Sequence, residues 1–170
     1  MDDSRTLLLV DDEILILEIL QEALAPLEAK ILLASDGAQA LEILKAAKPD
    51  AVVSDIHMPG LSGFDFIKKA REASIHTPFV FMTGYGDKEK AVTALRLGAF
   101  DFLEKPFKAP QLREVVDRAL HLGVELRSLE YEVDNQVRGS DIPSSEISQF
   151  REIVRKVLAL KKANKVRKAG

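Results

Sequence analysis

The sequence contains no cysteine among its 170 residues, which excludes disulfide bonds and thiolate metal sites and gives no sign of secretion. It has no long apolar run either. The hydrophobic segments are short and interrupted by charge, so we predict no membrane-spanning helix. The first residues, Met1 to Ser4, are acidic and polar and lack the apolar stretch of a signal peptide. These absences lead us to expect a protein of the cytoplasm.

The composition that is present is typical of a globular protein, with 46% hydrophobic and 30% charged residues. The net charge of −3 is unevenly distributed along the chain. Residues 1–122 carry 14 Lys and Arg against 20 Asp and Glu, and residues 123–150 carry 2 against 6. Residues 151–170 reverse the balance, with 8 basic residues and 1 acidic residue. An acidic body with a basic end indicates either two separate roles or a solvated terminus.

Short apolar runs alternate with segments of helical periodicity along the first 122 residues. The runs predict strands at residues 6–10, 30–34, 51–54, 78–82 and 100–103. Between and after them, Asp36, Asp87 and Pro110 stand where helices are expected to begin. Alternating strands and helices are typical of a parallel sheet covered on both faces. We therefore predict an α/β fold, a doubly wound, flavodoxin-like (βα)5 domain with a five-stranded parallel sheet and a C-terminal helical extension.

Polar side chains follow four of the predicted strands at the points where those strands end. Asp11 and Asp12 come after the first strand, and Asp55 comes after the third. Thr83 follows the fourth strand, and Lys105 follows the fifth. Because ligands of open parallel sheets bind outside the carboxyl ends of the strands, we expect these side chains to lie together in one site.

Three carboxylates held together repel one another and shift each other's pKa unless a cation compensates. Magnesium (Mg²⁺) is a hard cation that takes one or two carboxylates together with phosphate and water oxygens. The remaining carboxylate is then able to act as a nucleophile and to form an acyl phosphate. Mg²⁺, the Lys105 ammonium, the Thr83 hydroxyl and backbone N–H groups would neutralise the phosphoryl oxygens during transfer.

Four motifs of the sequence resemble those of the receiver family of two-component signalling, and they occur in order with the strand context that each requires. They are residues 9–13 (LVDDE), 54–63 (SDIHMPGLSG), 82–84 (MTG) and 99–107 (AFDFLEKPF). The resemblance covers roughly residues 5–122. It implies a stand-alone, chemotaxis-type receiver fold that accepts a phosphoryl group on an aspartate in a Mg²⁺-dependent reaction.

The resemblance also implies a metal site. Asp55 matches the aspartate that is phosphorylated and that contributes to Mg²⁺ binding in the family. Asp11 and Asp12 match the acidic pair around the ion, with Asp12 the expected direct ligand. The backbone carbonyl of His57 matches a third protein ligand.

The remaining matches are residues that contact the phosphoryl group or change conformation when it is bound. Lys105 matches the lysine that contacts the phosphoryl oxygens, and the Lys105–Pro106 peptide bond matches one that is cis in the family. Thr83 matches the hydroxyl that moves toward the phosphoryl group. Phe102 matches the aromatic residue that turns inward with it, although here the ring has no hydroxyl to donate a hydrogen bond.

The expected function is that of a response regulator whose phosphorylation switches protein–protein interaction. The expected partners are a sensor histidine kinase or phosphotransfer protein as the donor and a downstream protein as the target, with no membrane contact. The domain would catalyse only its own phosphorylation and dephosphorylation, so we do not expect an enzyme that acts on external substrates.

Other interpretations of the same residues are weaker. Considered one at a time, the acidic pair could be an ordinary turn, Asp55 could cap a helix or turn, and Lys105 could be a solvated surface residue. An aspartate-nucleophile phosphatase usually has two aspartates separated by one residue after its first strand, whereas Asp11 and Asp12 are adjacent. A flavodoxin-like cofactor binder would need a phosphate-binding loop after that strand, and the acidic residues 11–13 oppose one by their charge.

The chain continues beyond the expected end of the receiver domain, residues 1–122, into an extension of residues 123–170. A heptad stripe crosses this boundary and predicts that the fifth helix runs to about residue 133. Its members are Val115, Ala119, Leu122, Leu126, Leu129 and Val133. The stripe favours pairing with a second copy over folding back on its own domain, although Gly123 weakens the helix by up to about 1 kcal/mol relative to Ala.

Residues 134–143 contain Gly139, Ser140 and Pro143 and are typical of a linker. Residues 144–165 predict a last, amphipathic helix with a basic end. The alternative function is therefore a minimal transcription regulator that binds nucleic acid through this helix. It is the less favoured one, because one or two helices do not make a helix-turn-helix with its supporting core.

Overall fold

The computed structural model of the protein describes residues 4–84, 88–138, 143, 145–149 and 151–154. Its strands are β1 Thr6–Val10, β2 Lys30–Ala34, β3 Ala51–Asp55, β4 Phe79–Thr83 and β5 Asp101–Glu104. Its helices are α1 Ile14–Leu24, α2 Gly37–Ala47, α3 Gly63–Glu72, α4 Lys88–Arg96 and α5 Ala109–Val137, with a short 3₁₀ turn at Ala25–Leu27. The chain divides into two compact units, residues 1–123 and 124–170.

The five strands form one parallel sheet in the order β2-β1-β3-β4-β5. This is the doubly wound order of flavodoxin-like folds, and the predicted fold class is confirmed. The strand order reverses between β1 and β3, because β1 connects outward to β2 and β3 leads in the opposite direction. Ligands of such sheets bind at this point, beyond the carboxyl ends of the strands.

Two apolar layers cover the sheet, one on each face. Side chains alternate across a strand, so Leu7 and Leu9 of β1 pack into the layer formed with α1 and α5. Leu8 and Val10 pack into the layer formed with α2, α3 and α4. Burial on both faces explains why the strands appear in the sequence as continuous apolar runs rather than as alternating patterns.

The helix signals in the sequence are confirmed where the structure describes them. The carboxylate of Asp36 caps α2 by accepting a hydrogen bond from the backbone N–H of Gln39. Helix α5 begins at Ala109, with Pro110 in its first turn. The predicted cap at Asp87 lies outside the described residues.

Helix α5 passes through Gly123 without interruption and ends at Val137 rather than at about residue 133. A Cβ atom at Gly123 would lie 1.7 Å from the carbonyl oxygen of Asp50. The glycine therefore has a packing role, since it lets the helix backbone approach the residue that precedes β3. This contact accounts for a residue that the sequence pattern alone marks as a weak point in the helix.

The second unit is described at residues 124–138, 143, 145–149 and 151–154. Residues 145–149 and 151–154 are helical, and Arg151 forms an ion pair with Asp134. A pocket within this unit is lined by Leu126, Leu129, Glu130, Val133, Arg151 and Val154. Residues 139–142 of the predicted linker and 155–165 of the predicted basic helix lie outside the described residues. No helix in the described part of the chain combines the length and apolar composition that crossing a bilayer requires.

Candidate functional site

The Asp55 carboxylate lies at the carboxyl end of β3, beside the point where the strand order reverses. Its Oδ2 accepts a hydrogen bond of 2.6 Å from the backbone N–H of His57. Its Oδ1 accepts one of 2.7 Å from the Lys105 ammonium. The side chain is largely buried. The two donors hold the carboxylate plane in one orientation at the edge of the sheet.

Lys105 connects the two acidic strand ends. Its Nζ lies 2.7 Å from Asp55 Oδ1 and 3.9 Å from Asp11 Oδ2. The residue follows β5, and its peptide bond to Pro106 is cis. An ammonium between two carboxylates is suited to contact an anion that approaches the same oxygens.

Asp11 is buried at the end of β1, where its Oδ1 accepts a hydrogen bond of 3.0 Å from the backbone N–H of Glu13. Burial raises the pKa of Asp11, and the nearby Asp55 carboxylate raises it further, against the lowering effects of that hydrogen bond and of Lys105. The other oxygen, Oδ2, is buried and accepts no hydrogen bond within the described residues. Because buried charges in proteins are paired or coordinate metal ions, this oxygen, 3.9 Å from the Lys105 ammonium, is able to bind a further cation.

The residues at this edge fit a Mg²⁺ ion. Three or more acidic or histidine side chains do not converge as a ligand cluster anywhere in the described segments. Mg²⁺ needs fewer protein ligands than such a cluster would supply, because it is usually held by one or two carboxylates and completes its coordination shell with water and phosphate oxygens. Asp55 together with either Asp11 or the exposed Asp12 would supply one or two carboxylates, and the His57 carbonyl would supply a neutral oxygen.

Thr83 and Phe102 lie on the neighbouring strands. Thr83 is buried at the end of β4, where its hydroxyl donates a hydrogen bond of 3.4 Å to the carbonyl of Leu103. Phe102 is half-buried in β5 and packs against the layer shared with α2, α3 and α4. The structure thus brings Asp11, Asp55 and Lys105 into direct contact distance, and it places Thr83 on the strand end next to Asp55.

One residue of this region was not predicted from the sequence. The ammonium of Lys90, in the first turn of α4, lies 2.7 Å from the imidazole Nε2 of His57. No sequence signal distinguishes Lys90 from its neighbour Lys88. The only hint is its position one turn into the helix that follows the strand of Thr83.

Fold and site together define a class of protein: a doubly wound α/β domain with an aspartate–lysine cluster at the carboxyl edge of its sheet. The family model of the response regulator receiver domain matches residues 7–117. The chain therefore belongs to the response regulator receiver family, and the resemblance carried by the four motifs is confirmed. This membership places it in two-component signalling.

Curated relatives match this chain over their receiver segment. The regulatory protein AtoC of Escherichia coli (strain K12) is 38% identical over 122 residues, which are 72% of this chain and 26% of AtoC. The DNA-binding transcriptional regulator NtrC of the same organism is 37% identical over 111 residues, which are 65% of this chain and 24% of NtrC. The chain spans about a quarter of the length of these relatives.

Solved structures agree on the fold. The receiver domain of NtrX from Brucella abortus is 36% identical, with a TM-score of 0.64, and the match covers 68% of this chain and 98% of that one. The chemotaxis response regulator CheY4 of Vibrio cholerae is 31% identical, with a TM-score of 0.63 and the same coverage. These neighbours are matched over almost their whole length by less than three quarters of this chain.

Proposed function

We propose that this protein is a phosphorylation switch in which Asp55 accepts a phosphoryl group in a Mg²⁺-dependent reaction. One observation carries the proposal. The Asp55 carboxylate is held between the His57 backbone N–H and the Lys105 ammonium, next to a buried Asp11 oxygen that accepts no hydrogen bond within the described residues. A nucleophile, a cation for the phosphoryl oxygens and an oxygen for a metal ion therefore lie within one site.

The phosphoryl donor in this proposal is a phosphohistidine of a sensor kinase or phosphotransfer protein. An Asp55 oxygen attacks the phosphorus in line, the P–N bond breaks, and the imidazole leaves with the bonding electron pair. A bound Mg²⁺ would neutralise charge on the phosphoryl oxygens during this transfer. Lys105 turns from the carboxylate to the phosphoryl group, and the Thr83 hydroxyl gives up the Leu103 carbonyl to donate to the same oxygens.

The acyl phosphate ends by hydrolysis, which restores the Asp55 carboxylate and releases phosphate. The chain would thus act on its own side chain and not turn over an external substrate. Movement of Thr83 makes room for Phe102 to turn inward, and the surface around α4, β5 and α5 repacks. The switch is a shift between two states that both exist before phosphorylation. Its output in this proposal is protein–protein contact, in the cytoplasm as expected from the sequence.

In this proposal the donor docks on an exposed apolar face of α1. Three apolar residues of this helix are strongly exposed: Ile14 at 68%, Leu15 at 65% and Ile19 at 53%. Leu15 and Ile19 are four residues apart and share one face of the helix. This face begins directly after the acidic residues of the site, so a partner seated on it would bring its phosphohistidine to Asp55.

Substituting Ile19→Glu is expected to slow phosphotransfer from a phosphohistidine protein by about tenfold, since it removes an apolar contact and buries a charge in the complex. Labelling by acetyl phosphate, which needs no docking surface, should not change. The matched control is Ile153→Glu, which places the same charge on an exposed apolar residue of the second unit. If Ile19→Glu slowed labelling equally with the phosphohistidine protein and with acetyl phosphate, or slowed it with neither, the assignment of this surface would be contradicted.

Intact mass of the purified chain tests the switch itself. Incubation with acetyl phosphate and Mg²⁺ should add one phosphoryl group, and omission of Mg²⁺ or addition of EDTA should prevent it. Borohydride reduces an acyl phosphate and so marks the acceptor, which peptide mapping should place at Asp55. An adduct that forms equally well without divalent ions, or that maps to a serine or threonine, would contradict the proposal.

A second candidate function is suggested by the relatives, since NtrC is described as a DNA-binding transcriptional regulator. That description belongs to a protein of which this chain matches 24%. The basic residues 151–170 are the part of this chain that would have to provide such binding. A salt-dependent mobility shift with non-specific DNA that is lost on truncation after residue 150 would favour this function over protein contact alone.

A further inference from the structure

An apolar stripe lies on the part of α5 that belongs to the second unit. Its members, which we call the stripe, are Leu126, Leu129 and Val133. Side chains three and four residues apart share one face of a helix, and in a coiled coil such a face packs against a second helix. Leu126 is only 7% exposed, and Leu129 and Val133 are half-buried. The stripe is therefore already covered by other residues of this chain.

The cover is supplied by residues 145–149 and 151–154, which are helical and which we call the covering segment. Arg151 and Val154 of this segment line the same pocket as all three residues of the stripe. They are three residues apart and so lie on one side of the segment. The neighbouring Ile153, by contrast, is 59% exposed. The covering segment thus has one side on the stripe and another in solvent.

Charge complementarity favours this arrangement. The Arg151 guanidinium forms an ion pair with the carboxylate of Asp134, which follows directly after Val133 on α5. Both side chains are partly exposed, so the pair adds little stability by itself. The wider charge distribution has the same sense, since residues 123–150 carry 2 basic and 6 acidic residues and residues 151–170 carry 8 and 1. The acidic part of α5 and the basic end of the chain therefore attract each other.

The covering segment and a second copy of the chain would compete for the stripe. Both would contact the same three side chains, so a second copy could pair there only after the covering segment had left. The covering segment is attached, because only residues 138–144 connect it to α5. A tether of this length gives an effective concentration on the order of millimolar. At micromolar protein concentrations the attached segment is therefore favoured over a second copy.

We propose that the covering segment is an intramolecular competitor for a pairing surface, and that by occupying the stripe it keeps this chain monomeric. The inference is independent of the proposed function, since it involves only residues of the second unit. It turns the pairing with a second copy that the heptad pattern favours into a conditional one. Displacement of the covering segment would convert the chain into dimers joined through α5.

Matched variants of the full chain test the inference through the molar mass measured by light scattering after size exclusion. The natural chain should have the mass of one copy. Val154→Glu places a charge against the stripe and should release the covering segment, which lowers the dissociation constant of the dimer by about tenfold or more. Ile153→Glu adds the same charge on the exposed side and should leave the mass unchanged. Adding Leu129→Glu to Val154→Glu should restore the mass of one copy, because it disables the stripe itself.

Cross-linking identifies what occupies the stripe, and the absence of cysteine from the natural chain makes the reaction specific. In a variant with Val133→Cys and Val154→Cys, a short thiol-specific bifunctional reagent should join the two positions within one chain. A natural chain with the mass of a dimer, or a cross-linked product of two copies, would show that a second copy occupies the stripe and would overturn the inference.

The competition itself has a separate negative outcome. If Val154→Glu kept its helix content by circular dichroism and still had the mass of one copy, the stripe would have no affinity for a second copy and the inference would be wrong. Should Val154→Glu lose its helices, Arg151→Asp takes its place as the milder change, since it breaks only the ion pair with Asp134. The same shift toward dimers is then expected, and Asp134→Arg in addition should reverse it by restoring the pair.

Discussion

Replacing Asp55 with Asn is expected to abolish the Mg²⁺-dependent phosphoryl adduct. The amide is neutral, so it is a poor nucleophile and a poor ligand for a hard divalent cation. The Asn side chain has nearly the same size as that of Asp, and its neutral amide removes the repulsion between residues 55 and 11. Because the amide has only one oxygen, one of the two donors, the His57 N–H or the Lys105 ammonium, loses its acceptor. We therefore expect a folded protein that takes no phosphoryl group. Intact mass reports the adduct, and circular dichroism reports the fold.

The matched control for this variant is Asp65→Asn. Asp65 is another carboxylate, in the first turn of α3, where it interacts with Ser62 and with Lys68. Its substitution changes the net charge by the same amount and should leave the adduct unchanged. Full labelling of the Asp55→Asn protein would mean that another carboxylate, Asp11 or Asp12, accepts the group, and the assignment of roles within the site would be wrong.

Among the glycines that the structure describes, Gly123 is the one at which substitution by Ala is expected to cause the largest loss of stability. The new Cβ would lie 1.7 Å from the Asp50 carbonyl oxygen and 2.5 Å from its carbon, both of which are backbone atoms. Overpacking of this kind costs about 1–3 kcal/mol and occasionally more, against a gain of about 1 kcal/mol in helix propensity. Because the atoms in contact belong to the backbone, we expect a cost at the upper end of this range and thus a net loss of about 2 kcal/mol in the free energy of unfolding. In a chain of this size that corresponds to a fall in Tm of about 4–8 °C.

Thermal unfolding followed by circular dichroism measures this effect. The matched control is Gly84→Ala, because a Cβ at Gly84 meets no atom of the described residues within 4 Å and the substitution should change stability by less than about 0.5 kcal/mol. An increase in Tm for Gly123→Ala would show that helix propensity outweighs the contact. It would then follow that α5 does not need its close approach to Asp50.

The strand boundaries illustrate how far the sequence goes in predicting the fold. The runs at 51–54, 78–82 and 100–103 predicted β3, β4 and β5, yet each observed strand ends one residue later. An apolar run in the sequence shows which residues are buried, whereas the end of a strand is set by the last residue whose backbone pairs with a neighbouring strand. The register pairs Asp55 with Met82 and Thr83 with Glu104, so the polar site residues are themselves part of the ladder. The site is thus built on the sheet and not only on the loops beyond it.

The sequence predicted that the acidic residues lie together in one site, but it did not predict how their burial differs. Asp11 and Asp12 are adjacent and chemically identical in the sequence. In the structure Asp11 is buried beside Lys105, with its pKa raised by burial, while Asp12 is exposed. Both residues lie beyond the last residue of β1, and only packing decides which of them enters the protein. The prediction that Asp12 is the more direct Mg²⁺ ligand stays a prediction. The buried Asp11 Oδ2, which accepts no hydrogen bond from the described residues, keeps Asp11 a ligand candidate as well.

The sequence by itself determined the order of strands and helices, and with it the strand ends that meet at one edge. This follows from local physics, because apolar periodicity and caps act over a few residues and parallel strands align their carboxyl ends. Tertiary structure alone decided the contacts between residues far apart along the chain: Gly123 against Asp50, and Lys90 against His57. Such contacts depend on distances of a few ångströms between packed elements. No pattern of neighbouring residues encodes those distances, since they result from the packing of all side chains together.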